Sequence, residues 1–335
     1  MNNQAKTMNI LMETAVPSLL FRHYAGEEDI PSMVDISNKS KAAEGADWLS
    51  TVEEMTNRYR YLVNCDLAED MIVAEVHGEM VGYGRCSWEQ QLDGERIYQH
   101  FATLLPVWRG KGICRAMLQF NEDRLGTIAA SHPQDGKRWL NSWAAETATH
   151  WMNLLEINGY KPIRYFMEMV RPNLDNIPNM PLPPDIEVRR GKMDEWRQIW
   201  EAEREAFRDH WGEAEWPEES FLRWSKDPNF NPNLWQIAWA GNEVAGGVLN
   251  YIHEGENEEY GRLRGYTEDI FVRRPWRKQG LAKALIARSF QVLKDEGMTE
   301  VSLEVDAKNP SGAVQLYTDL GFQTVKQTAV YRKPL

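Results

Sequence analysis

Two hydrophobic spacings alternate along the chain. Short runs of period two, rich in β-branched and aromatic residues, predict strands at 19–25, 71–76, 80–88, 97–105, 139–143, 186–190, 234–240, 244–251 and 324–332. Apolar residues three and four apart predict helices at 29–37, at 51–62, from 113 through Met117, Leu118 and Phe120, and at 151–156. A longer amphipathic helix is marked by Met193, Trp196, Trp200, Phe207 and Trp211, and another by Leu281, Ala284, Leu285, Val292 and Leu293. His77-Gly78-Glu79 and Gly241-Asn242-Glu243 read as turns between paired strands. The stretch 171–185, with five prolines, has neither period and reads as a semi-rigid linker.

After that linker the order of elements restarts. A strand at 97–105 leads into Pro106 and the run Arg109-Gly110-Lys111-Gly112-Ile113-Cys114. The strand at 267–272 leads into Pro275 and Arg277-Lys278-Gln279-Gly280-Leu281-Ala282. Gly112 and Gly280 are 168 positions apart and Gly159 and Gly321 are 162 apart, so the first copy holds six extra residues, assigned to the loop at 126–138. The pattern predicts two mixed α/β domains of one kind, at 1–171 and 186–335, joined by 172–185.

The strand–turn–helix at 266–282 is where chemistry concentrates. A helix N-terminus presents N–H groups without intrahelical partners and a partial positive charge. Gly280 at the helix mouth removes a Cβ and Ala282 leaves only a methyl, so an anion can approach the backbone. Arg273, Arg274, Arg277, Lys278 and Lys283 add a basic island to a chain of net charge −12. This reads as a phosphate or pyrophosphate cradle. Asn309-Pro310 reads as a helix start, with Asn309 as N-cap and Pro310 first in the helix, and Gly321 as its stop.

Taken together, R-x-x-G-x-A at 277–282, the Tyr266–Val272 strand with its Glu268, and N-P-x-x-A-x-x-L-Y-x-x-x-G-F at 309–322 resemble the GCN5-related N-acetyltransferase (GNAT) superfamily over 185–335. The tandem arrangement, with Ala206-Phe207-Arg208-Asp209-His210, is similar to the mycothiol-synthase type of that superfamily. The resemblance implies two tandem GNAT-like domains, each a mixed, mostly antiparallel twisted sheet flanked by helices. It implies acetyl-CoA as acyl donor, held by Ile270, Phe271, Val272, Arg277, Lys278, Gln279, Gly280, Leu281, Ala282 and Asn309. It also implies direct transfer in a ternary complex to a primary amine of a small molecule or peptide, with no metal.

Within that frame Glu268 is the candidate base, against the plainer reading of a solvated or ion-paired strand residue. Asp269 points to the opposite face if the strand alternates, an assignment that a bulge would upset. Tyr317 is the candidate acid for the departing thiolate, against a core role. A thiol's reference pKa of about 8.5 lies near a phenol's of about 10. His253, Asp209 and His210 are minor candidates for the acceptor site. The acidic stretch Glu254–Glu259 reads as a solvated hairpin loop. In the first copy His100 stands for Glu268, Thr147 for Asn309, Leu155 for Tyr317 and Cys114 for Ala282. Leu155 has no proton to donate, so that copy is expected to be degenerate, with His100 left open as a base.

Composition narrows the classes further. Hydrophobic residues make up 42% and charged residues 26%, within the globular range. No apolar run reaches the roughly 18 residues of a membrane span, and the N-terminus lacks a signal-peptide core. Cys65, Cys86 and Cys114 form no C-x-x-C pair, which argues against a zinc site and for a reducing, cytoplasmic setting. The acidic balance argues against nucleic-acid binding. A dinucleotide oxidoreductase is excluded by the lack of G-x-G-x-x-G after the first strand. A CoA-binding sensor or scaffold without turnover is the alternative from another class; the oligomeric state is unknown.

Overall fold

The computed structural model describes residues 7–8, 16–309 and 311–335. The N-terminal stretch read as lacking a signal peptide, and Pro310 as first helical residue, lie outside the described residues. Cα packing divides the chain into two compact units, residues 1–163 with 329–335, and residues 164–328.

In chain order the elements are β1 (Thr7–Met8), β2 (Leu19–Arg22), α1 (Ile30–Ala43), α2 (Val52–Arg60), β3 (Met71–Val76), β4 (Glu79–Gln90), β5 (Arg96–Leu104), α3 (Ile113–Ala130), β6 (Arg138–Ala145), α4 (Thr149–Ile157) and β7 (Lys161–Arg171). Then follow β8 (Glu187–Arg189), α5 (Trp196–Phe207), α6 (Glu218–Ser225), β9 (Gln236–Ala240), β10 (Glu243–Ile252), α7 (Glu254–Tyr260), β11 (Arg264–Val272), α8 (Leu281–Asp295), β12 (Glu300–Asp306), α9 (Ala313–Asp319) and β13 (Gln323–Pro334).

The first unit's sheet runs β1-β2-β3-β4-β5-β6 and is completed by residues 329–335 of the chain's last strand. Tyr331 is buried in its core beside Leu155 and Tyr160, and the Arg332 Nε donates to Asn141 Oδ1 at 3.0 Å. The second unit's sheet runs from 323–328 and 164–171 through β12, β11, β10 and β9 to β8. The pairs β1–β2, β2–β3, β3–β4, β4–β5, β7–β12, β8–β9, β9–β10 and β10–β11 are antiparallel, and β5 with β6 and β11 with β12 are parallel.

The expected elements are present with shifted ends. The long helix predicted through Trp211 stops at Phe207, and α6 follows where no helix was expected. The acidic stretch expected as a loop is instead the helix α7, with Glu256 and Asn257 buried. Asn257 explains the difference: its Oδ1 accepts from Arg264 N and its Nδ2 donates to Arg264 O, which ties the helix to the start of β11. The proline-rich stretch packs as well. Leu174 is buried in the second unit's core, and Lys294 and Arg288 donate to the carbonyls of Leu174 and Met180.

In the second unit, Ile237, Trp239, Val244 and Leu249 pack under α5, while Ala238, Ala245 and Val248 pack with Leu285, Phe290 and Leu293 under α8. Burying each large apolar side chain is worth roughly 1.5–3 kcal/mol, so burial sets the position of α8 more firmly than helix propensity does. The strand supplied by the chain's end should matter in the same way to the first unit. Tyr331, 1% exposed, should cost roughly 3 kcal/mol or more when changed to Ala. Equilibrium urea unfolding checks this, and a loss below about 1 kcal/mol would contradict the packing described.

Candidate active site

Directly paired residues of neighbouring strands show their side chains on the same face. Tyr266 lies opposite Tyr251 and Glu268 opposite Leu249, and both β10 residues pack toward α5. Thr267 lies opposite Asn250, whose Nδ2 reaches Ser289 of α8 at 3.1 Å. Glu268 therefore faces α5 and Thr267 faces α8. The pairing resumes at Phe271 opposite Gly247, so Val248 alone spans what Asp269 and Ile270 span on β11. Asp269, at φ 44°, is the extra residue of a β-bulge. The Tyr251 hydroxyl donates to its Oδ2 at 3.3 Å, which puts Asp269 on the α5 side as well. The expectation that Asp269 faces away from Glu268 is thus corrected: the bulge sets two consecutive carboxylates on one face. Beyond it Phe271 returns to the α5 cluster, and Ile270 and Val272 pack toward α8.

Glu268 is exposed, so a ligand can reach it. Desolvation, with Asp269 as the next contribution, pushes its carboxyl up to about 7, and the nearby His253 opposes this in part. Burial also raises Asp269, to about 6, despite the Tyr251 hydrogen bond. Burial, then Glu168, raises Glu304. His253 stacks edge-on against Tyr266, whose hydroxyl donates to Glu256 Oε2 at 2.6 Å.

A cleft opens beside this face. β11 and β12 pair only from Arg264–Glu300 to Tyr266–Ser302, although they run on to Val272 and Asp306. The strands part there and leave the β11 edge from Thr267 onward without a strand partner. At its far end Lys278 (φ 61°) and Gly280 (φ 84°) are both left-handed. Gly280 caps α8, and the N–H groups of 278–283 make no protein hydrogen bond among the described residues. Such a concave run of free N–H groups at a helix start is an anion nest. A Cβ at Gly280 would meet nothing within 4 Å, so the glycine is required by φ and not by crowding.

The basic island expected around the nest is mostly neutralised. Arg277 donates to Val272 O, Ala206 O and Asp209, Arg274 also binds Asp209, Arg273 binds Glu205 and Glu243, and Lys283 binds Asp319. Asp209 is therefore a clamp between the end of α5 and the nest, and the Arg274 and Arg277 guanidiniums hold its carboxyl well below the usual range. His210 is exposed, with its ring against Phe207. Lys278 and Gln279 are exposed, Leu281 is in the core and Ala282 is half-buried.

Tyr317 sits on α9, 8% exposed, edge-on to Phe322, and burial pushes its phenol up to about 12. Its hydroxyl has no hydrogen-bond partner among the described residues. Asn309 does not cap α9 as expected. Gly312, at φ 80°, takes that place, and the Asn309 Oδ1 accepts from Ser311 N at 2.9 Å in a turn that precedes the helix. Gly321, at φ 89°, follows α9, and Phe322 N closes back onto Tyr317 O.

The first unit repeats the nest but not the open face. Gly110 and Gly112 are left-handed at the start of α3, and Arg109 ties back to Ser40 and Glu44 at the end of α1. Yet β5 pairs with β4 without a break from Leu104 to Arg96, so there is no bulge. His100 is 4% exposed and bonded to the Tyr160 hydroxyl at 2.7 Å, and burial pushes it down to about 3. Ser142 Oγ donates to His100 O, and Trp151 Nε1 donates to Ser142. β5 and β6 also stop pairing, after Gln99–Asn141, but there Ser142 bridges to the carbonyl of His100. His100 itself is buried and neutral, not the base left open from the sequence.

The acetyltransferase (GNAT) family model matches at residues 33–132 and again at 196–322. The chain belongs to the GNAT family. It is a tandem GNAT protein and an N-acetyltransferase, and GNAT acetyltransferases use acetyl-CoA. Mycothiol acetyltransferase of Geodermatophilus obscurus is 26% identical over 76% of this chain and 78% of its own length. That of Salinispora arenicola is 25% identical over 88% and 91%. Two solved structures share the tandem fold. A GCN5-related N-acetyltransferase from Sphaerobacter thermophilus has a TM-score of 0.71 at 24% identity, over 96% of this chain and 97% of its own. A tandem GNAT protein from the clavulanic acid biosynthesis pathway has 0.66 at 15%, over 94% and 98%. No described helix of this GNAT chain is long and apolar enough to cross a membrane.

Sequence reasoning missed Tyr251, Glu203 and the placing of Asp269. One signal was present: Gly246-Gly247 within β10, since glycine inside a strand marks a bulge or a close approach. A Cβ on Gly246 would lie 2.6 Å from Phe271 O, and one on Gly247 2.6 Å from the Phe271 ring. The side-by-side carboxylates give a direct test. Asp269→Asn removes a like charge, so Glu268 should titrate at a lower pH than in the wild type. Infrared carboxylate titration, taken as a difference against Glu268→Gln, checks this, and an unmoved or raised Glu268 would contradict the geometry.

Proposed function

We propose that the second unit is the catalytic one. It transfers the acetyl group of acetyl-CoA to a primary amine of a small molecule or peptide, by direct attack in a ternary complex. The observation that carries this reading is the accessible Glu268 beside the parted strands, set against the buried His100 of the first unit. A carboxylate raised to about 7 is matched to taking an ammonium proton near neutral pH, directly or through water. The free N–H groups of 278–283 fit a pyrophosphate, and the unpartnered edge of β11, at Ile270 to Val272, fits an amide-bearing arm. Tyr317 keeps its proton at neutral pH and donates it to the leaving thiolate. Asn309 stands at the mouth of the same helix turn. No cysteine lies in the second half of the chain, in keeping with transfer without a thioester on the enzyme. The first unit is a degenerate copy in which the nest outlived the chemistry.

Relatives named mycothiol acetyltransferase support acetyl transfer, and at 26% identity the acceptor of this chain is argued from its own residues. Thiol release from acetyl-CoA with a panel of amines identifies a working acceptor; no release with any amine would favour a CoA-binding sensor. With that acceptor, Tyr317→Phe should lower kcat at least about tenfold while acetyl-CoA affinity holds. In the wild type, activity should rise with pH as Glu268 loses its proton near 7, and Glu268→Gln should remove that limb. Wild-type profiles in both variants would return these residues to structural roles. Gly280→Glu, which puts a strained side chain and a negative charge in the nest, should abolish turnover, and Gly112→Glu should leave most of it. Equal losses in the two folded variants, or the reverse pattern, would contradict the assignment.

A further inference from the structure

We propose that the acceptor carries two basic nitrogens, and that Asp269, backed by Glu203 and Tyr251, holds the second as a cation while Glu268 faces the first. This rests on the reading of the second unit as the transfer site.

A single amine needs one carboxylate to take its proton, and the bulge supplies two on the same face. Around the second of them the charges that act most strongly are acidic. The Tyr251 hydroxyl donates to Asp269, and the groups that act most on that phenol are the carboxylates of Asp269, Glu203, Glu268 and Asp227. Glu203, on α5, is 3% exposed, and its Oε2 has no hydrogen-bond partner. Its charged neighbours are Asp269 and Glu213, both acidic.

Several acids elsewhere in the chain have a cationic partner. Asp29 is bound by Arg22, Asp70 by Arg124, Glu44 by Arg109 and Asp209 by two arginines. A buried acid without a partner is costly and marks a site that a ligand completes. The charge that completes these acids is assigned to the acceptor itself. Glu213, the other acid beside Glu203, accepts from Trp216 Nε1, and the Trp216 ring lies 5.8 Å from Trp200 and 6.0 Å from Phe207 between ring centres. The acceptor class that fits is an alkane diamine, or an amine bearing a second amino or guanidino group.

The test is calorimetry on the full chain with three probes of matched length: 1,4-diaminobutane, 1-aminobutane and 4-aminobutanoate. The wild type should bind the diamine at least about tenfold more tightly than the monoamine, as one charge-assisted contact provides, and the amino acid more weakly than either. Asp269→Asn should bring diamine and monoamine to within about threefold of each other. Asparagine tolerates positive φ, so this variant keeps the bulge. Glu203→Gln, an isosteric change away from the bulge, should reduce the preference too. Equal affinities in the wild type, no binding of any amine, or a preference retained in Asp269→Asn would overturn the proposal. Titrating acetyl-CoA into the same samples separates the two readings. Without acetyl-CoA binding but with the diamine preference, the transfer assignment falls and the cation subsite stands. With acetyl-CoA binding and no preference, the subsite alone falls.

Discussion

One extra residue in β11 governs the second unit. Inserting Asp269 between Glu268 and Ile270 breaks the alternation of the strand, so that two carboxylates share one face. The insertion is tolerated because β10 offers Gly246 and Gly247 where any Cβ would collide with Phe271. Desolvation, with the Asp269 carboxylate as the next contribution, moves an ordinary glutamate toward neutrality. Backbone geometry, local electrostatics and acid–base capacity thus follow from one irregularity.

The first unit shows what the fold provides without it. Its nest is built on the same plan, down to an arginine turned back onto the end of the preceding helix pair. An anion site made of backbone N–H groups needs little from side chains and survives sequence change. The face proposed for acyl transfer does not. With β5 regular, His100 enters the core against Tyr160 and Trp151, and Ser142 closes the gap between the strands. Filling that cleft gains apolar burial, the default outcome when no ligand has to be admitted.

Much of this was legible in the sequence. The period-two and period-3.6 patterns placed most elements, and the repeat of Gly112 and Gly280 gave the tandem plan. Features set by a single side chain were harder to read. The helix α7 depends on Asn257 binding both backbone groups of Arg264, and the start of α9 shifts to Gly312 because Asn309 spends its side chain on Ser311. The crossing of 329–335 into the first unit left no mark on local composition, because a strand looks the same whichever sheet receives it. The bulge was flagged by a glycine pair, but which way Asp269 turned depended on Tyr251, eighteen positions away in sequence and adjacent only in the folded sheet.

The most direct test is a crystal structure of the full chain with CoA bound. The account predicts pyrophosphate oxygens on the N–H groups of 278–282, the arm of the ligand along the β11 edge, and the Glu268 and Asp269 carboxylates both on the α5 face. Density for CoA at Gly110–Cys114 alone, or a regular β11 with the two carboxylates on opposite faces, would contradict it.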